Sequence, residues 1–353
     1  MPTTYAIPDG RTVFAATVYT GNSPSSQSIN NAVNGVSFQP DWVWQKSMSQ
    51  TYNHTLYDSV RGTTKELYSN LTSAEVTDTN GLTAFTSSGF TIGSDGELND
   101  PTGTHVAWQW KAGGTAVSNT DGTITSSVSA NTTAGFSVVT YTGNKTATQT
   151  VGHGLGVAPS MIILKSRSDG ALNWYVYHSA LGYTYRTFLN LTNAASNTSS
   201  STVWATAPTS TVFGIGDSDG VNASAGTYVA YCFAPVAGYS AFGSYTGNGS
   251  ADGPFVYTGF RPRFVMIKKS SGTDDWCIQD TARDPYNMCA YKLGPNSSGA
   301  ENYAALGNTT ENTIDILSNG FKLRSSNGLT NASGATLIYA CFAENPLKFA
   351  NAR

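Results

Sequence analysis

The stretch FQPDWVWQK at 38–46 has two counterparts in the same chain, VAPSMIILK at 157–165 and FRPRFVMIK at 260–268. In all three the proline is followed six residues later by a lysine, with an apolar run between them. Trp42, Met161 and Phe264 share one slot of that run, Trp44, Ile163 and Met266 another, and Val43, Ile162 and Val265 the slot between. Apolar side chains at consecutive positions point to opposite faces of a strand, so each run predicts a central strand covered on both sides.

The flanks repeat as well. Upstream of each run stands YTGN, at 19–22, 141–144 and 245–248. Downstream come HTLYDSVR (54–61), WYVYHSAL (174–181) and WCIQDTAR (276–283), then the closing segments HVAWQWKA (105–112), YVAYCFA (228–234) and LIYACFA (337–343). This period exceeds the 20–50 residues of solenoid repeats, so each copy is expected to be a domain with its own core. The boundaries fall at 1–114, 115–236 and 237–353. YTGN is read as the point where the first strand of each module turns, with Gly21, Gly143 and Gly247 taking positive φ. In the closing segments one face carries Val106, Trp108 and Trp110 or Val229, Tyr231 and Phe233, while small residues such as Ala107, Ala230, Cys232 and Cys341 leave room for a second layer on the other.

Composition points the same way. Charged residues are only 12% of the 353, roughly half the usual share, and Ser, Thr, Asn and Gly fill the polar positions. Exposed helices need Lys, Glu, Arg and Ala; β-branched Thr and turn-forming Asn and Gly favour short strands instead. The pairs Asn34-Gly35, Asn80-Gly81, Asp95-Gly96, Asp169-Gly170, Asp219-Gly220, Asn319-Gly320 and Asn327-Gly328 are expected to form two-residue hairpin turns. The fold class is therefore all-β: three tandem homologous antiparallel β-sandwich or jelly-roll-like domains, with at most a short helix in TTKELYSNLTSAE at 63–75. The Gly- and Ser-rich stretch after Trp110 reads as a linker, and APVAGYSAFGSY at 234–245 as a stiffer connection.

A net charge of −3 and a pI near 5.8 provide no basic field, which argues against nucleic acid as a partner. No apolar run reaches the length of about 18 residues that a membrane helix needs, and MPTTYAIPDG lacks the features of a signal peptide. Cys232, Cys277, Cys289 and Cys341 are too scattered for a disulfide scaffold and read as small buried residues. His54, His105, His153 and His178 show no metal-ligand spacing. GDSDGVN at 216–222 resembles a calcium loop, but GSDGELN (93–99) and SSNGLTN (325–331) keep only its turn, so a hairpin turn is the reading preferred. Asp58 with Arg61 recurs as Asp280 with Arg283 and is replaced by His178 and Leu181 in the middle copy, which suits an ion pair or turn cap better than a catalytic pair. No catalytic, cofactor or metal residues are assigned. Tyr183, Tyr185, Trp204, Tyr286 and Tyr303 fall in polar connections and are the candidates for surface binding.

The motifs SSVSANTTAGFSVVTYTG, HGLGVAPSMIILK, NWYVYH, LYDSVRG, AWQWKAGG, SNGFKLR and FAENPLKFANAR together resemble an uncharacterised domain family of virion proteins from tailed, especially marine, bacteriophages. Members of that family are described as tail-fibre-like or structural, and no catalytic residues come with the resemblance. It implies a non-enzymatic virion surface protein, made in the host cytoplasm and working on the tail or capsid surface. The first reading is a tail fibre or spike component that attaches to a host receptor or surface glycan. The alternative is capsid decoration, cement or a head fibre, and a polysaccharide depolymerase is a third class without a paired-carboxylate signal to support it. Expected partners are other virion proteins and a host surface glycan or protein, with a homo-oligomer, preferably a trimer, as the assembly and no membrane insertion.

Overall fold

The structure, a computed structural model, describes residues 5–197 and 202–343. It is built almost wholly from antiparallel strands. The first stretch contributes β1 (Phe14–Thr20), β2 (Gln27–Asn30), β3 (Trp42–Ser47), β4 (Thr55–Asp58), β5 (Lys65–Tyr68), β6 (Val76–Thr77), β7 (Leu82–Thr86), β8 (Gly89–Ile92), the single-turn helix α1 (Gly96–Asn99) and β9 (Thr104–Trp110). The second contributes β10 (Val117–Asn119), β11 (Ser126–Asn131), β12 (Phe136–Thr142), β13 (Gln149–Gly152), β14 (Met161–Ser166), β15 (Tyr175–His178), β16 (Tyr185–Phe188), β17 (Ser196–Asn197), β18 (Val212–Ile215), α2 (Asp219–Asn222) and β19 (Thr227–Phe233). The third contributes β20 (Ser240–Thr246), β21 (Phe255–Tyr257), β22 (Phe264–Lys269), β23 (Trp276–Asp280), β24 (Ile314–Leu317), β25 (Gly320–Leu323), α3 (Gly328–Asn331) and β26 (Thr336–Phe342).

Each stretch makes one large and one small sheet. The large sheets share a four-strand order, β1-β9-β3-β4, β12-β19-β14-β15 and β20-β26-β22-β23, and the small ones are β2-β8-β7, β13-β18 and β21-β25-β24. The proline-to-lysine strands β3, β14 and β22 lie inside their sheets, and every residue from Trp42 to Lys46, Met161 to Lys165 and Phe264 to Lys268 is buried. Their two apolar faces have different destinations. Val43, Ile162 with Leu164, and Val265 with Ile267 pack on the small sheet of their own stretch. Trp42, Trp44, Met161, Ile163, Phe264 and Met266 instead enter one core common to all three stretches. The closing strands divide likewise, with Ala107, Ala230, Cys232 and Cys341 toward the small sheets and Trp108, Trp110, Tyr231, Phe233 and Phe342 toward the common core.

Each copy buries an interior of its own, and the three share a further one: every large sheet is half of a private sandwich and one wall of a common centre. There Trp110, Phe233 and Phe342, the last interior residues of the three closing strands, form a triangle of rings with centroid separations of 6.3, 5.5 and 5.5 Å. Trp42 stacks on Tyr231 of the next stretch at 4.3 Å, and Trp108 meets Phe264 edge-on at 5.6 Å. The void left among these side chains is ≈ 10 Å³, at the lower limit for a single water. Three related large sheets thus surround one centre within a single chain.

YTGN has a different role from the one its composition suggests. Gly21, Gly143 and Gly247 do not adopt positive φ. A Cβ on them would overlap the backbone carbonyl oxygens of Asp100, Ala223 and Ala332, so glycine is required by close approach to the end of α1, α2 or α3. The tyrosine hydroxyls donate to helical-turn carbonyls, Tyr19 to Leu98 at 2.9 Å, Tyr141 to Val221 at 2.6 Å and Tyr245 to Thr330 at 2.6 Å. The backbone N–H of each motif asparagine donates to a buried asparagine at the end of the turn: Asn22 to Asn99, Asn144 to Asn222 and Asn248 to Asn331, at 2.7 to 2.9 Å. The motif is a clamp on a helical turn.

Three further expectations change. Asp95, Ser218 and Asn327 are N-caps whose side chains accept from Glu97, Gly220 and Leu329 backbone N–H groups, so those three Gly-containing segments are capped helical turns rather than hairpin turns. Of the seven Asn-Gly and Asp-Gly pairs, Asn34-Gly35 has positive φ at both residues, as the two-residue hairpin requires. Residues 63–75 form β5 and a turn because pairing of Leu56 with Leu67 overrides local helix propensity, and the stretch after Trp110 is ordered as β10 and β11, which extend the second large sheet.

Gly247→Ala is expected to lower stability in urea unfolding by about 1–3 kcal/mol, because the new methyl meets backbone that cannot step aside. Gly328→Ala, at a helical position where a Cβ would meet the Ala332 Cβ at an ordinary 4.0 Å, is expected to change stability by less than about 0.5 kcal/mol.

Candidate functional site

The repeated polar residues come first. Asp58 and Arg61, like Asp280 and Arg283, form the ion pairs read from the sequence, and their side chains have no exposure. Both carboxylates are fully engaged. The Oδ2 of Asp58 that takes the Arg61 Nε–H also accepts from the Tyr231 hydroxyl at 2.8 Å, and the Oδ2 of Asp280 likewise from the Trp108 indole N–H at 3.1 Å, while each Oδ1 accepts from backbone N–H groups of the following turn. Burial pushes the Asp280 carboxyl up, but the Arg283 guanidinium beside it outweighs this and holds it below the ordinary carboxylate range.

The middle copy differs for a local reason. The closing-strand place held by Trp108 and Tyr231 is Ala340 in the third stretch, which offers no side-chain donor. His178 therefore bonds through Nε2 to the Tyr339 carbonyl at 3.1 Å, while its Nδ1 accepts from the Ala180 backbone N–H at 3.2 Å. The Nε2–H tautomer follows from these two partners. First to second, second to third and third to first, the three contacts close a ring.

A second ring runs beside it. Trp174 donates its indole N–H to the Tyr68 carbonyl and Trp276 to the Phe188 carbonyl, both at 2.8 Å. His54, in the corresponding place, lies beside the backbone of Gly294. The motif lysines complete the seams: Lys165 donates to the Thr72 carbonyl and Lys268 to the Thr192 carbonyl, each at 2.9 Å across a junction, while Lys46 caps the Ser47 and Gln50 carbonyls. Burial lowers these ammonium groups to about 7 for Lys46 and about 8 for Lys165 and Lys268. Such a lysine could serve as a nucleophile if a substrate reached it, but all three residues are fully buried.

The first stretch also holds a carboxylate group that sequence reading missed. Glu66 lies beside Tyr68, which donates to it at 2.9 Å, and burial pushes its carboxyl up to about 7. Asp95 and Glu97 are also raised, by burial and by neighbouring carboxylates. These residues come from β5 and the start of α1, so no local spacing announces them. Among the described residues no three His, Cys, Asp or Glu side chains are placed to hold a metal ion.

The five aromatic candidates do not gather. Trp204 is buried at 1% exposure, because its ring packs against Tyr177 in the second private core, and it is removed from the surface set. Tyr303 is partly buried against Cys277, Leu306 and Leu329. Tyr183 and Tyr185 are exposed in the second stretch and Tyr286 in the third. A cleft of ≈ 380 Å³ in the second stretch is lined by hydroxyls, including Ser127, Thr140, Thr142 and Thr227, with Arg167 held by Glu75 at 2.9 Å.

Part of the exposed apolar surface lies at the third small sheet. Phe255 and Tyr257 on β21 are 45% and 61% exposed, Met288 is 48% and Tyr286 80%. Phe255 pairs with Lys322, which pairs with Asp315, and Tyr257 pairs with Gly320, which pairs with Leu317. Asn287 extends the sheet by bonding through its side chain to both backbone groups of Ile316, which brings Met288 beside Thr313. The cations on this face are paired, Lys322 with Asp252 at 2.8 Å and Arg324 with Asp315 at 3.1 Å. The face can stack on or enclose an uncharged partner, and it holds no free acid–base pair. Phe255-Val256-Tyr257 escaped notice because a short apolar run reads as buried strand; the signal lay in the sister copies, where the two outward places are Ser28 with Asn30 and Thr150 with Gly152.

His178 sets a pH dependence. Burial lowers its pKa to about 4, below its ordinary value of 6.5, so its contribution is fully present above pH 6.5 and is lost as pH falls through about 4. The loss of stability of the wild type between pH 6.5 and 4 is expected to exceed that of His178→Asn, as measured by urea unfolding across that window.

No curated protein and no solved structure matches the chain. Among the described residues no helix is long and apolar enough to cross a membrane. A family model described as a domain of unknown function, DUF7483, matches residues 9–346. With nearly its whole length covered, the chain belongs to the DUF7483 family.

Proposed function

We propose that this chain is a non-enzymatic surface component of a bacteriophage virion and acts in host attachment, with other virion proteins and a host surface glycan or protein as its partners. One observation carries the reading: the repeated charged residues are spent on the seams between stretches, while the outward face of a single small sheet has exchanged polar residues for Phe255 and Tyr257. Such a body is rigid and inert at its centre and adhesive at one place. The motif resemblance supports the virion setting, and a core stabilised without disulfides suits synthesis in a reducing cytoplasm, since all four cysteines are free and buried. The threefold arrangement inside the chain favours a second reading, capsid decoration, because it suits a threefold-symmetric seat.

Quantitative mass spectrometry of purified virions separates the two. A few tens of copies per particle are expected for the tail, and hundreds would favour the shell. Added pure protein is expected to block phage adsorption. Release of reducing sugar from host polysaccharide would contradict the non-enzymatic assignment.

A further inference from the structure

The three small sheets differ at one edge. In the second stretch, edge strand β13 is covered by an extended segment of the same chain. Ile124 forms a parallel bridge with Val151, and its N–H donates to the Thr150 carbonyl at 3.0 Å. The backbone N–H groups of Thr123 and Thr150 each donate to the other's side-chain hydroxyl, at 2.9 and 2.8 Å. Ile124 itself is sunk into the second private core at 7% exposure. The covering segment exists because β10 and β11 precede β12, an insertion for which the third stretch has no room: β19 ends at Phe233 and β20 begins at Ser240.

Among the described residues no segment covers the equivalent edge of the third stretch, β21. Val256 pairs with Phe321 as Val151 pairs with Phe213, which fixes the correspondence of Phe255 with Thr150 and Tyr257 with Gly152. The Pro254 carbonyl accepts from Leu323 N–H at 3.1 Å, and Thr258 N–H donates to the Asn319 carbonyl at 3.0 Å. Backbone groups alternate along an antiparallel strand, so those of Phe255 and Tyr257 face the open edge, as those of Thr150 face Ile124. Protein edges are ordinarily blunted by charge or proline. The first stretch has Ser28 and Asn30 at these places, whereas β21 places two exposed aromatic rings beside its free backbone groups.

We infer that β21 is a strand-addition site: it takes an extended, uncharged polypeptide segment from a partner protein, running parallel to β21 with a β-branched apolar residue in the place Ile124 occupies on β13, and flanked by Phe255 and Tyr257. Backbone hydrogen bonds supply the affinity and the aromatic rings the selection for an apolar neighbour. The occupant's chemistry is argued from the segment that covers the sister edge within this chain. The attachment reading enters only in the identity of the partner, so the two can fail separately: adsorption blocking can succeed through another surface while the edge stays empty.

The test uses the full chain and a fluorescein-labelled peptide with the sequence of residues 122–127, GTITSS, read by fluorescence anisotropy and by amide hydrogen exchange. Saturable binding is expected, with new protection at the Phe255 and Tyr257 amides. Tyr257→Pro removes an outward N–H that an edge strand can forgo without loss of fold, and it is expected to weaken binding at least about tenfold at an unchanged melting temperature. The double variant Phe255→Ser, Tyr257→Asn installs the polar residues that the first stretch has at these places and is expected to do the same. Absence of binding, protection at Thr150 instead of Phe255 and Tyr257, or equal affinity for well-folded variants overturns the inference. Displacement of the peptide by neutral oligosaccharide without any change in amide protection does so as well, since it assigns the aromatic face to sugar stacking.

Discussion

The triangle of Trp110, Phe233 and Phe342 is the constraint on which the rest depends. Three large sheets can present bulky faces to one another only if the rings that meet at the centre fill it, and they do so with a residual void of ≈ 10 Å³. Each sheet must then be apolar on both sides, which is why the proline-to-lysine strands alternate between a private and a shared destination. A stretch on its own would leave one face of its large sheet, with residues such as Phe264, Met266 and Phe342, in water.

Burial of that face forces the polar residues of the seams to find partners without solvent. Asp58 and Asp280 accept where the neighbouring strand offers a tyrosine or tryptophan donor, and His178 donates where it offers only a backbone carbonyl. Histidine in the middle copy, in place of aspartate, thus goes with Ala340 in the facing strand. The motif lysines neutralise carbonyls at the same junctions. With this charge consumed inside the body, the copies differ most visibly on the outer sheets, at strand ends and exposed rings.

Much of this was legible in the residues. The strand positions of FQPDWVWQK and its counterparts, the antiparallel β class and the small-residue faces of the closing strands followed from alternation, because period-two patterns report burial directly. The role of YTGN did not follow, since a glycine held by close approach to a carbonyl and a glycine held by positive φ look alike in sequence. Asp95-Gly96, Asp219-Gly220 and Asn327-Gly328 misled for a related reason: an N-cap before glycine and a hairpin turn use the same two letters. Trp204 sits in a polar stretch, yet its ring is buried by contacts distant in sequence. The exposed pair Phe255 and Tyr257 became visible only when register placed them opposite Thr150 and Gly152.

Differential scanning calorimetry of the intact chain tests the shared core most directly. One transition is expected, with the van't Hoff enthalpy equal to the calorimetric enthalpy, because no stretch can unfold without uncovering the rings of the other two. Two or three separable transitions, each with its own cooperative enthalpy, would show that the sandwiches stand alone and that the central triangle does not unite them.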